Sequence, residues 1–188
     1  MKFASGLSLR GKIKVTLYDN AKSKEHLLEA HRQYSKTPSG VVVVEKKNLI
    51  VNTGLLNITH LLAGDPEASA IRYMSFGSGG YSGGAVVDPA RGNYQLNTEE
   101  FREPLVYKLN DGSPNYSVTF TGVAIASEHP TVSSLSEVGL QTKSVAGTPT
   151  STTMDLFAHV SFPEVFFSST APVSTGLVVD WEIIFDAV

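Results

Sequence analysis

The sequence contains no cysteine. Disulfide bridges, thiol catalysis and cysteine-ligated zinc are thereby excluded together, and the redox state of the compartment stays open. Cations are also in short supply: 15 Lys and Arg stand against 18 Asp and Glu, for a formal net charge of -3. A nucleic-acid binder draws its affinity from clustered cations facing phosphates, so that class is set aside. No apolar run approaches the ~20 residues that a membrane-spanning helix requires. The opening stretch MKFASGLSLRGK lacks the apolar segment of a secretory signal. No repeat with a period of roughly 20–50 residues is evident. What is present is the composition of a globular protein, with 188 residues, 41% of them hydrophobic and 18% charged. That is enough for one domain with a sizeable core.

The patterning is that of strands. GKIKVTLY at 11–18 alternates, VVVVEKK at 41–47 is β-branched, and Tyr116, Val118 and Phe120 alternate with Ser117, Thr119 and Thr121. Further strands are expected at 71–76, 102–109, 136–143, 152–162 and 176–186, with a turn at 110–115. In the last strand Leu177, Val179, Trp181, Ile183 and Phe185 point one way and Asp180 and Glu182 the other, which predicts one buried and one wet face. About seven or eight such strands separated by turn chemistry predict an antiparallel β-sandwich. One short helix should pack against it. In NTGLLNITHLLAG (52–64), Asn52 or Thr53 offers a capping oxygen, Leu55, Ile58, Leu61 and Leu62 make an apolar stripe, and Gly64 with Pro66 supplies the stop. Too short to stand alone in water, this helix must be held by packing, so Ile58 and Leu61 are expected to be buried. The chain is therefore read as a single domain over 1–188, with an inserted polar segment at about 19–39 and a long glycine-rich loop at about 77–95. Within the insert, Lys24 to Gln33 forms either a brief helix or part of a solvated connection.

Few residues gather in patterns that carry chemistry. Gly80-Tyr81-Ser82-Gly83-Gly84 matches the G-x-S-x-G nucleophile elbow, which needs a strand before it and a helix after it. Here Ala85–Pro89 follows, an apolar stretch stopped by proline, so the elbow is not expected. No G-K-[ST] accompanies these glycines, which removes a phosphate loop as well. Histidines at 26, 31, 60, 129 and 159 have no local set of three or four ligands around them, so no metal is expected. Glu99, Glu100 and Glu103 around Arg102 read as a solvated acidic segment rather than a carboxylate pair. Asp65, Glu67, Asn110 and Asp111 read as turn residues outside any calcium-loop spacing. No catalytic residue and no cofactor is assigned. A long loop rich in glycine and tyrosine is instead suited to contact another molecule, and Tyr81, Tyr94, Arg91, Phe101 and Arg102 are the residues expected at such an interface.

The order of these signals resembles a family of small tailed-bacteriophage structural proteins, found as tail-fibre N-terminal modules, baseplate parts and neck or collar proteins. The residues that carry the resemblance are NLIVNTG at 48–54 with LLNITHLLAG after it, IRYMSFGSGG at 71–80, LNTEEFREPL at 96–105, SLSEVGL at 134–140, DLFAHVSFPEV at 155–165 and LVVDWEIIF at 177–185. It spans about Gly40 to Val188. The 19–39 insertion and the lengthened 81–95 loop depart from the compact pattern. The resemblance implies an architectural role without catalytic residues, in a homo-oligomer in contact with other virion proteins, with no nucleic-acid or membrane partner. Its setting would be the virion, assembled in the host cytoplasm. A carbohydrate-binding adhesion module of a phage fibre is the alternative.

Overall fold

The computed structural model describes residues 7–19, 21–33, 40–112, 116–144, 153–170 and 174–187. Part of the expected 110–115 turn, the far end of the 19–39 insertion and the start of the strand expected at 152 lie outside them.

The chain is mainly β, as the alternation predicts. Its strands are β1 (Leu7–Tyr18), β2 (Gly40–Lys47), β3 (Leu49–Ile50), β4 (Tyr73–Gly77), β5 (Tyr81–Ser82), β6 (Ala85–Val86), β7 (Glu99–Pro104), β8 (Val106–Asn110), β9 (Tyr116–Ile125), β10 (Ser134–Gln141), β11 (Leu156–Phe166) and β12 (Gly176–Ala187). Two α-helices, α1 (Lys24–Arg32) and α2 (Asn52–Ala63), and a short 3-10 helix at Ala126–Glu128 complete the set among the described residues. Sheet A has the order β2-β1-β12-β9-β8 and sheet B the order β3-β11-β10-β4-β7, every pair antiparallel. Asn48 alone separates β2, at one edge of sheet A, from β3 at an edge of sheet B. Leu105 alone separates β7 from β8 at the other edge.

The core lies between the sheets. Ile13 and Val15 of β1, Phe120 of β9 and Leu177, Val179, Trp181 and Ile183 of β12 face Met74, Phe76, Leu135, Val138, Leu140, Phe157, Val160 and Phe162 of sheet B. Trp181 pairs with Ile13 on one side and Phe120 on the other, so the bulkiest side chain sits on the central strand of sheet A. The outer face of β12 is drier than the sequence predicts, because the inserted segment folds over it. Leu27 of α1 joins Tyr18, Ala21, Val123, Ile125 and Val178 in a second buried cluster. Ser23 caps this helix, its hydroxyl accepting from the His26 N–H.

Helix α2 ends as expected, with Gly64 in the left-handed conformation at φ 69°. Its start differs. Val51 holds the cap position without a side-chain capping bond, and the Thr53 hydroxyl donates to the Leu156 carbonyl at 2.6 Å instead. The buried side also differs, since Thr53, Gly54 and Asn57 are its buried residues. Ile58 is half-buried against the core, whereas Leu61 is 50% exposed, contrary to expectation. The cause is backbone contact. A Cβ on Gly54 would lie 2.1 Å from the Phe157 carbonyl oxygen, so the first turn presses directly on β11 and turns the leucines outward.

Candidate functional site

The glycine-rich stretch between β4 and β7 is a built surface feature. The structure places a small ribbon in it, β5 paired with β6 around Gly83 and Gly84, which take φ 60° and 84°. Positive φ at both central positions is what a two-residue hairpin turn demands, so the Gly-Gly pair was its sequence signal. Ser82 ends β5 inside this ribbon and is followed by a turn and a strand. That is a different geometry from the strand–turn–helix of a nucleophile elbow.

What holds the stretch is Glu137 on β10, fully buried together with His159 of β11. Glu137 Oε1 accepts from the N–H groups of Thr98 at 2.7 Å and Gly79 at 3.1 Å, and Oε2 from that of Asn97 at 3.1 Å and from His159 Nε2 at 2.8 Å. His159 Nδ1 faces the Asn93 amide nitrogen at 3.3 Å, so one ring proton, on Nε2, satisfies both contacts. Next to Glu137, the Ser136 hydroxyl accepts from the Gly80 N–H and donates to the Ser78 carbonyl. Both ends of the 77–98 excursion are thus pinned to β10 by side chains. Burial pushes the Glu137 carboxyl upward, but the bonds from His159, Thr98 and Asn97 outweigh it and hold the carboxyl below its ordinary value.

The five expected interface residues divide. Arg91 is exposed, and its carbonyl accepts the Asn52 N–H at the start of α2. Tyr94 is exposed and Tyr81 half-buried, both on the excursion. Phe101 and Arg102 are turned inward instead. Phe101 stacks on His129 and Phe76, with ring centroids 3.5 and 5.2 Å away. Arg102 grips Glu99 through Nε at 2.5 Å and Nη2 at 3.0 Å, and donates from Nη1 to the Lys143 carbonyl at 2.9 Å. The segment around them is therefore not simply solvated, and Glu103 is buried within it.

Folding also joins acids and histidines that the sequence keeps apart. Glu103, Glu128 and His129 bring ligand atoms within 4.8 Å of one another. A cation already serves this cluster, with Lys24 Nζ 2.7 Å from both Glu103 Oε2 and Glu128 Oε2 and His129 Nε2 2.7 Å from Glu103 Oε1. Burial tends to lower the Lys24 pKa, and the two carboxylates more than offset it, so the ammonium is held above its ordinary value. The arrangement ties α1 to sheet B and leaves both carboxylates paired with the same ammonium. His60, Asp65 and Glu67 form a second group at the end of α2. There Asp65 Oδ2 meets His60 Nδ1 at 2.8 Å and Oδ1 accepts the Glu67 N–H, a turn closed by its own side chains.

A third tie fixes α1 from its other end. His31 stands between the Tyr18 hydroxyl, 2.8 Å from Nδ1, and Asp180 Oδ2, 2.5 Å from Nε2, and Thr121 donates to Asp180 Oδ1. The sequence put Asp180 on a wet face and gave Glu137 and Lys24 no role, because each partner set is assembled from elements far apart in the chain. Among known protein families, curated proteins and solved structures, none matches this chain.

Proposed function

We propose that the chain is a structural component of a tailed-bacteriophage virion, of tail, neck or baseplate type, acting through subunit contacts. The observation that carries this reading is the 77–98 excursion. A fully buried carboxylate and histidine are committed to fixing the backbone of a surface segment that bears Tyr81, Arg91 and Tyr94. Buried charge is costly unless fully paired, and spending it on loop geometry suits a segment whose shape is read by a neighbour. The ordered motifs from NLIVNTG to LVVDWEIIF support the same reading by resemblance. Locating this chain in a density map of an intact particle tests it. Occupancy at the tail, neck or baseplate is the expected result, and absence of the chain from purified particles overturns it.

Tyr81 and Tyr94, both on that excursion, favour carbohydrate adhesion as the second reading. A reproducible glycan-array signal that disappears in Tyr81→Ala or Tyr94→Ala would select it.

A further inference from the structure

Among the described residues, two apolar features are left without cover, and they lie side by side. The first is a groove. Tyr107 pairs with Phe120 and Leu109 with Val118, so both β8 side chains stand on the core face of sheet A. They hold core positions, yet are 66% and 67% exposed. Sheet B stops short of them, with β4 beginning at Tyr73 and β7 ending at Pro104, and the β8–β9 hairpin overhangs. Beneath it is a groove of about 770 Å³, lined among others by Ile71, Leu105, Tyr107, Leu109, Tyr116 and Phe185.

The second is a ridge. Along α2, Leu61 is 50% and Leu62 80% exposed. The Asn57 side chain exchanges two hydrogen bonds with the Ser69 backbone, at 2.9 and 3.1 Å, and the next residues, Ala70 to Tyr73, form one wall of the groove. Ridge and groove are therefore neighbours on one end of the sandwich.

We infer that the occupant of the groove is a second copy of this chain, the Leu61–Leu62 ridge of each copy seated in the groove of the other about a two-fold axis. A convex and a concave patch lying side by side on one molecule are covered together by a two-fold rotation, which gives a closed, self-complementary contact. An apolar helix face in an apolar groove is an established recognition mode. The areas are of the right order. A standard stable interface takes about 800 Å² from each partner, and a fully buried aromatic side chain alone covers about 150–250 Å². Here Tyr107, Tyr116, Leu109, Leu61 and Leu62 are all exposed. Charge offers one complementary pair, Arg72 of the groove wall with Glu67, exposed just beyond the ridge, while Asp111 on the same lining carries the sign of Glu67. Nothing in this contact depends on the virion reading, which rests on the 77–98 excursion and is tested by particle localisation.

The absence of cysteine makes the test clean. Chains carrying Leu62→Cys and Leu109→Cys singly are mixed and treated with a short bis-maleimide, while sedimentation follows the unmodified chain. A dimer at micromolar concentration is expected, with a 62–109 cross-link that appears only in the mixture. Leu62→Glu and Tyr107→Glu, both at exposed positions, should each weaken the dimer at least about tenfold while leaving thermal melting of the monomer unchanged. A chain that sediments as a monomer overturns the inference. So does a dimer that survives both substitutions, or one that cross-links only 62 to 62 or 109 to 109. A larger ring or open chain joined through 62–109 overturns the two-fold arrangement.

Discussion

The two helices solve the same problem with opposite chemistry. Helix α1, KEHLLEAHR, is mostly polar, yet little of it is left unassigned. Leu27 is buried in the outer cluster, Lys24 bridges Glu103 and Glu128, and His31 is held between Tyr18 and Asp180. Gly176 makes room for it, since a Cβ there would come within 2.4 Å of Leu27 Cδ1. Helix α2, NTGLLNITHLLA, is apolar, yet it buries a threonine, a glycine and an asparagine and turns leucines outward. The apolar content of a helix therefore does not tell which side it buries. Backbone proximity and directed hydrogen bonds decide the orientation first, and the side chains left over face whatever remains.

Substitutions break this contrast in graded steps. The largest effect is expected at α1: Leu27→Ala empties a fully buried site and should lower unfolding free energy by about 2–5 kcal/mol in a denaturant titration. On α2, Asn57→Ala strands the N–H and carbonyl of Ser69 and should cost about 1–3 kcal/mol, read by the same titration and by faster amide exchange at Ser69. Gly54→Ala drives a Cβ toward the Phe157 carbonyl and should cost a similar or smaller amount, about 1–3 kcal/mol, with chemical-shift changes at Leu156 and Phe157. A smaller, pH-dependent effect concerns the α1 latch. Burial raises the Asp180 carboxyl, but the contacts with His31, Thr121 and Lys14 outweigh it and leave the carboxyl below its ordinary value of 3.8. The latch therefore contributes stability that is fully present above that value and is lost as pH falls through the depressed one. Asp180→Asn should flatten this acid limb, as followed by melting temperature between pH 6 and strongly acidic buffer. Smallest of all, Leu62→Ala should leave monomer stability within about 0.5 kcal/mol. A larger loss would mean that the α2 ridge is packed within the monomer after all.

The fold was legible where periodicity and burial coincide. The inward set of β12 from Leu177 to Ile183 is buried as its alternation predicts, and Gly64 stops α2 where it should. Legibility failed where tertiary contacts reverse a local signal. Glu137 sits in SLSEVGL, where an acidic residue reads as solvent-facing, and its partners are 22 to 58 positions away. Leu61 belongs to an apolar stripe, and only the approach of Gly54 to β11 turns it out. Phe101 and Arg102 were expected at an interface, beside acids read as solvated, but His129 and Glu99 draw them in. Tyr107 and Leu109 show the reverse case: the register gives them the core face, and the shorter length of sheet B leaves them bare.

The single-residue crossings at Asn48 and Leu105 have a mechanical consequence. Both lateral margins of the sandwich are seams of continuous covalent chain, so the two layers behave less like stacked plates than like a flattened sleeve. A tension that pulls sheet A away from sheet B is carried at either seam by peptide bonds rather than by side-chain packing. Opening has to begin at an end of the sleeve. One such end is where the β8–β9 overhang stands and α2 leans, and whatever closes that mouth also sets how readily the protein comes apart under load.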